Sequence, residues 1–156
     1  PAGLYVLGSV AETDGVARHN LMTADWVQQV AVRPKLVAAS IDATAVTCDL
    51  VGRGGVFSVS LLDREDRAVV RKFGKPVADV ETDDDGRPVR MAGVTVVVAA
   101  TGAPILASAA CWLDCEVRQQ LELGSHVLFV GEVVAAGGDP ERPLLRMEDT
   151  RMNYGG

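Results

Sequence analysis

The chain has 156 residues, 48% of them hydrophobic and 23% charged, the balance of one soluble globular domain with a single substantial core. Its formal net charge of −6 excludes a protein that tracks nucleic-acid phosphates with a dense basic surface, and leaves any anionic ligand to local donors. Three cysteines, Cys48, Cys111 and Cys115, form no C-x-x-C pair, and the odd number speaks against a secreted disulfide framework and for a reducing cytoplasm.

No basic region followed by an apolar core opens the sequence, so no signal peptide is expected. Residues 3–10 are β-branched and aromatic enough for a strand, and Glu12-Thr13-Asp14-Gly15 supplies a turn into a second strand over 16–22. A buried strand is expected over 35–41, after Arg33-Pro34, followed by a short helix over 44–52 that offers Leu50 and Val51 to the core and ends at Gly52, Gly54 and Gly55. Strand resumes over 56–62. Asp63 is a candidate N-cap for a second helix running to Phe73 and stopping at Gly74. From 75 to 90 the chain reads as a polar loop, with Glu81 to Gly86 solvated.

Residues 92–113 carry no formal charge and are long enough to span a bilayer. The interruption at Thr101-Gly102-Ala103-Pro104 instead predicts two buried strands joined by a turn, not a membrane helix. Over 109–117 the alternation places Cys111, Leu113, Cys115 and Val117 on one face, with Trp112, Asp114 and Glu116 on the other. Cys111 and Cys115 are then roughly 13 Å apart, too far for a disulfide, and read as core. Strands over 127–134 and 144–147 flank a turn at Gly137-Gly138-Asp139-Pro140. Many short antiparallel strands with two short helices predict a mainly β fold closed into a barrel.

Three segments carry candidate chemistry. In Asn20-Leu21-Met22-Thr23-Ala24-Asp25-Trp26 a strand runs into small and polar residues, which lets backbone groups approach a flat heteroaromatic ring; taken alone, an ordinary strand end with Trp26 in the core explains it as well. In the stretch from Ala39 to Thr47 a buried strand meets a helix start, where unpaired N–H groups and the helix dipole favour a phosphate, with Ser40, Thr44 and Thr47 as ligands; the plainer reading makes Thr44 an N-cap. His126 opens a strand, where its ring can hydrogen-bond a nicotinamide amide, deliver a proton, or serve structure alone.

In order, these segments resemble the flavin reductase-like FMN-binding split barrels over nearly the whole chain. The resemblance runs from Gly3 to Ser9 through Asn20 to Trp26, Pro34 to Thr47, Gly55 to Leu62, Phe73-Gly74, Gly124 to Val133, Pro143-Leu144-Leu145 and Asn153-Tyr154-Gly155-Gly156. It implies a Greek-key-like split β-barrel and a homodimer. The cofactor implied is FMN, or FAD in its place, reduced by NADH or NADPH, with a partner monooxygenase or another electron acceptor downstream. Carried over by position, Asn20, Met22, Thr23, Ala24 and Asp25 line the ring edge, Ser40, Ile41 and Thr47 hold the ribityl phosphate end, Phe73 lies near the ring, and His126 lies near the nicotinamide. Ala24-Asp25 stands where many members have Thr-Ser or Ala-Ser, and Ala45-Val46 where many have a Lys or Arg before the phosphate threonine. A second class of reading is a non-catalytic ligand-binding or electron-transfer barrel for flavin, haem or deazaflavin.

Overall fold

A computed structural model describes residues 3–152, so the ending Asn153 to Gly156 lies outside the described residues. Strands β1 (Tyr5–Thr13) and β2 (Val16–Ala24) form a hairpin about Asp14 and Gly15, whose positive φ values of 53° and 78° fit the twist of the flanking strands. Next come β3 (Val27–Ala31), β4 (Leu36–Asp42), helix α1 (Val46–Gly54) and β5 (Val56–Leu61). Gly55 ends α1 in the left-handed region, φ 72°, and its N–H reaches the Val51 carbonyl. Two 3-10 turns, Arg64–Asp66 and Val69–Phe73, lead into β6 (Val80–Thr82), β7 (Pro88–Met91), β8 (Val94–Val97) and β9 (Ile105–Leu106). The long strands β10 (Cys111–Glu122) and β11 (His126–Gly138) and a 3-10 turn at Met147–Asp149 complete the order.

The strands form a seven-stranded sheet, β2-β1-β5-β10-β11-β4-β3, and a four-stranded sheet, β6-β7-β8-β9. Leu7, Ala39, Ile41, Val51, Phe57, Cys115 and Phe129 come from strands across the large sheet and from α1, yet pack into one cluster, so the sheet wraps around them with α1 as a plug. Burying each such Phe is worth roughly 1.5–3 kcal/mol. A second cluster, with Val6, Leu21, Val70, Phe73, Met91 and Leu106, fills the space between the reverse face of β1 and β2 and the small sheet. The wall is not closed by hydrogen bonds. Its two edges, β2 and β3, pair on one side only among the described residues and are joined through Asp25 and Trp26, which makes the barrel split, as the resemblance implies, where the strand pattern alone suggests a closed one.

Several expectations change. The helix expected from Asp63 to Phe73 is two 3-10 turns: Asp63 does accept the Glu65 N–H, but only Val70 and Phe73 are buried, and the i, i+3 stacking of a 3-10 turn aligns that pair. The polar loop over 75–90 contains the hairpin β6–β7, whose exposed turn is set by Asp83 accepting the N–H groups of Asp85 and Arg87. The uncharged stretch after Ala92 holds β8, β9 and the start of β10, and no helix among the described residues is long and apolar enough to cross a membrane. In β10, register shifts after Asp114 and Val117 break the alternation. Cys115 is fully buried, Cys111 only partly, and Asp114 is buried because Thr101 covers it with two hydrogen bonds. The strand expected over 144–147 is reduced to the isolated bridges Asp63↔Leu144 and Gly3↔Arg146. Strand β3 was not foreseen.

Candidate functional site

Alternation on β3, β4 and β11 sends Val27, Ala39, Ile41, Val127 and Phe129 inward. Trp26, Gln28, Ser40, Asp42, His126 and Leu128 are thereby left on the outside of the barrel wall, with Ser40 opposite Leu128 and Asp42 opposite His126. The Trp26 carbonyl accepts the Ser40 N–H at 3.0 Å, which pins the β2–β3 junction onto β4. Above this surface is a cavity of about 620 Å³ bordered by Tyr5, Asp25, Trp26, Gln28, Ser40 and Leu128.

One rim is aromatic and titratable. The Trp26 indole is 48% exposed and its ring centroid lies 5.0 Å from that of His126. Ser125 Oγ lies 2.9 Å from His126 Nδ1, and the Ser125 carbonyl accepts the Ala43 N–H. Hydrogen bonds from the Thr44 hydroxyl and N–H, with a smaller contribution from His126, hold the Asp42 carboxyl below its ordinary range.

The remaining site residues lie behind the wall. Asn20 is 3% exposed; its Nδ2 donates to Thr47 Oγ1 at 3.0 Å and its Oδ1 accepts the Val77 N–H at 2.8 Å. Thr23 is fully buried, and its hydroxyl donates to the Val70 carbonyl at 2.6 Å. Together these bonds strap residues 70–77 and α1 to the edge strand β2. Ile41 belongs to the barrel core and Phe73 to the second core, while Met22 and Ala24 pack at the barrel side of β2. The structure therefore brings Asp25, Ser40 and His126 to one surface, and it does not bring Asn20, Thr23, Ile41, Thr47 or Phe73 there. Thr47, at 0% exposure, presents no hydroxyl to a ligand from outside the chain.

The start of α1 differs from the expected Thr44 cap. Its N-cap, Ala45, offers no side-chain oxygen, and Thr44 is turned to Asp42, so no side chain caps the helix. No Lys or Arg lies between Ser40 and Gly52, and Arg53 is committed to the Glu12 carbonyl, Thr13 and Asp49. Sequence reasoning took Trp26 into the candidate segment but named no role for it, and its plainer reading put the ring in the core. Counting alternation back from inward-facing, partly buried Val27 would have turned it outward. Among the described residues no group of three or more His, Cys, Asp and Glu side chains is arranged to hold a metal ion.

Residues 1–155 match the flavin reductase like domain family. The NADH-dependent flavin reductase StyB of Pseudomonas fluorescens is 30% identical over 146 residues, 92% of this chain and 77% of that protein. Among solved structures, the NADH:FAD oxidoreductase SgcE6 of Streptomyces globisporus C-1027, in complex with NAD and FAD fragments, is 27% identical with a TM-score of 0.72. That alignment covers 92% of this chain and 78% of that one. The styrene monooxygenase flavin reductase of Pseudomonas putida S12 is also 27% identical, with a TM-score of 0.71 over 93% of this chain and 86% of that one. Against longer curated relatives the chain spans only 50% or 37% of their length. With a family match along nearly all of its length and the split barrel shared with these structures, the chain belongs to the flavin reductase like family.

Proposed function

We propose that this domain is an NAD(P)H-dependent flavin reductase that holds FMN, or FAD in its place, in the cavity beside Trp26 and supplies reduced flavin to a partner monooxygenase or another acceptor. The observation that carries the reading is the position of that cavity at the end of edge strand β2, between Asp25, Trp26 and Ser40. The residues present fit a flavin. A flat sheet face and an indole suit a planar ring, the unpaired side of β2 can offer backbone donors and acceptors to the ring edge, and the uncapped start of α1 suits a phosphate. When bound, the flavin supplies two-electron chemistry, taking a hydride from the nicotinamide.

The chain's own residues bind and orient. Trp26 supplies the stacking surface, and Ser40, with the N–H groups at the start of α1, receives the phosphate end. Asn20, Thr23 and Thr47 act as positioning residues that fix β2 against α1 and the 70–77 segment. His126, oriented by Ser125 and Trp26, receives the nicotinamide. A homodimer fits the exposed apolar groups Val30, Val32, Leu121 and Leu123, which a second copy would cover, and three free cysteines fit the cytoplasm.

Anaerobic titration of flavin-loaded protein with NADH and with NADPH tests the reading. Bleaching of the flavin absorbance is expected with at least one donor; a colourless protein that cannot be reconstituted sinks it. Light scattering that gives a 16.4 kDa monomer at low micromolar concentration would remove the dimer.

A further inference from the structure

Among the described residues no Lys or Arg borders the cavity of the proposed flavin site, yet positive charge accumulates elsewhere. Arg67, Arg71 and Arg151 border one cleft of about 510 Å³, together with Ala68, Asp149 and Thr150. The carboxylate in this group is already used: Asp149 Oδ2 accepts from Arg64 Nε at 3.3 Å and from the Arg146 N–H at 2.9 Å. Arg67 donates only to the Asp149 carbonyl, at 3.3 Å. Among the described residues the side chains of Arg71 and Arg151 make no hydrogen bond and no ion pair. Three exposed arginines thus line one concave surface whose single bordering carboxylate, Asp149, is engaged by Arg64, in a chain whose net charge is −6.

One segment that borders the cleft is tied to the edge strand of the candidate site. Arg71 directly follows Val70, whose carbonyl accepts the Thr23 hydroxyl, so the segment that carries the arginines is also strapped to β2. Guanidinium groups present paired N–H donors that match phosphate oxygens, and a concave site suits a small polyanion better than the flat face of an acidic protein.

We propose that Arg67, Arg71 and Arg151 form a binding site for the phosphate groups of a nucleotide. Its assignment to the nicotinamide dinucleotide rests on the reductase reading; the anion site itself does not.

Inorganic pyrophosphate is the probe, titrated calorimetrically at low ionic strength. The parent chain should bind it, and the double variant Arg71→Ala/Arg151→Ala should bind it at least tenfold more weakly, since a hydrogen bond to a charged group is worth roughly that factor. All three arginines are exposed, so these changes leave both cores intact. Arg33→Ala, an exposed arginine in the turn before β4, controls for general loss of charge and should bind like the parent. No binding by the parent, or equal binding by the double variant, overturns the proposal. ADP and 2′,5′-ADP then separate the sources: tighter binding of 2′,5′-ADP assigns the site to the 2′-phosphate of NADPH, and tighter binding of ADP assigns it to the diphosphate bridge. Intact pyrophosphate binding in a protein that takes up no flavin would sink the reductase reading and leave this site standing.

Discussion

The rings of Trp26 and His126 meet at a centroid separation of 5.0 Å and an interplanar angle of 46°, although the two residues come from opposite ends of the barrel wall in sequence. Trp26 links the two edge strands, and His126 opens β11 opposite Asp42. The contact holds the imidazole at the rim of the cavity instead of free in solvent. His126→Ala should therefore raise the Michaelis constant for the reduced nicotinamide or slow flavin reduction, while FMN affinity stays nearly unchanged. Stopped-flow reduction combined with flavin titration checks both halves. Equal loss of FMN binding and stability would return His126 to a structural role.

Asn20 and Thr47 make a sharper case for stability than for direct binding. Asn20→Ala removes one buried and one part-buried hydrogen bond and strands the Val77 N–H, which should cost roughly 2–4 kcal/mol in urea denaturation. Thr47→Val keeps the shape but leaves Asn20 Nδ2 without this acceptor, at about 1–3 kcal/mol. Acting through β2, Thr47→Val should weaken FMN and riboflavin alike. Selective loss of FMN would put the hydroxyl at the phosphate after all.

The sequence revealed the barrel class because β-branched runs and Gly-containing turns are local signals, and the Asp14-Gly15 hairpin and the Gly55 helix end fall where such signals place them. It did not reveal which polar residues face a ligand. Asn20, Thr47 and Asp25 look alike as short polar groups near a strand or helix end, yet only Asp25 borders the cavity, since β2 is wrapped by residues from 47 to 77 that no local pattern brings there. The failed helix after Asp63 has a similar cause: its cap is real, but the two buried residues that follow, Val70 and Phe73, suit a 3-10 spacing.

Asp25 borders the cavity proposed for the flavin, and on that proposal its charge faces the one that develops on reduction. Asp25→Asn keeps size while removing like-charge repulsion, so reduced FMN should bind more tightly relative to oxidised FMN, by roughly tenfold for about 1.4 kcal/mol. Redox titration of the bound flavin would register this as a higher midpoint potential. An unchanged potential would show that the carboxylate lies outside the ring's field.

His19 offers a test of pH dependence away from the site. Burial pushes its imidazole below the ordinary value of 6.5. The unfolded chain therefore binds more protons than the folded one between the lowered value and 6.5, and stability rises with pH across that interval and levels off above it. Melting temperature should climb as the pH is raised towards 6.5 in the parent and climb less in His19→Gln. Parallel curves would assign the trend to other groups.

The barrel interior is filled by Phe57, Phe129 and their neighbours, while the cavity beside Trp26 lies on the outside of the wall. A guest in that position arrives and departs without parting any pair of strands. Its residence time is then set by the handful of surface contacts it makes and not by the folding equilibrium of its host, which suits a flavin that is collected, charged and handed on as a diffusing carrier.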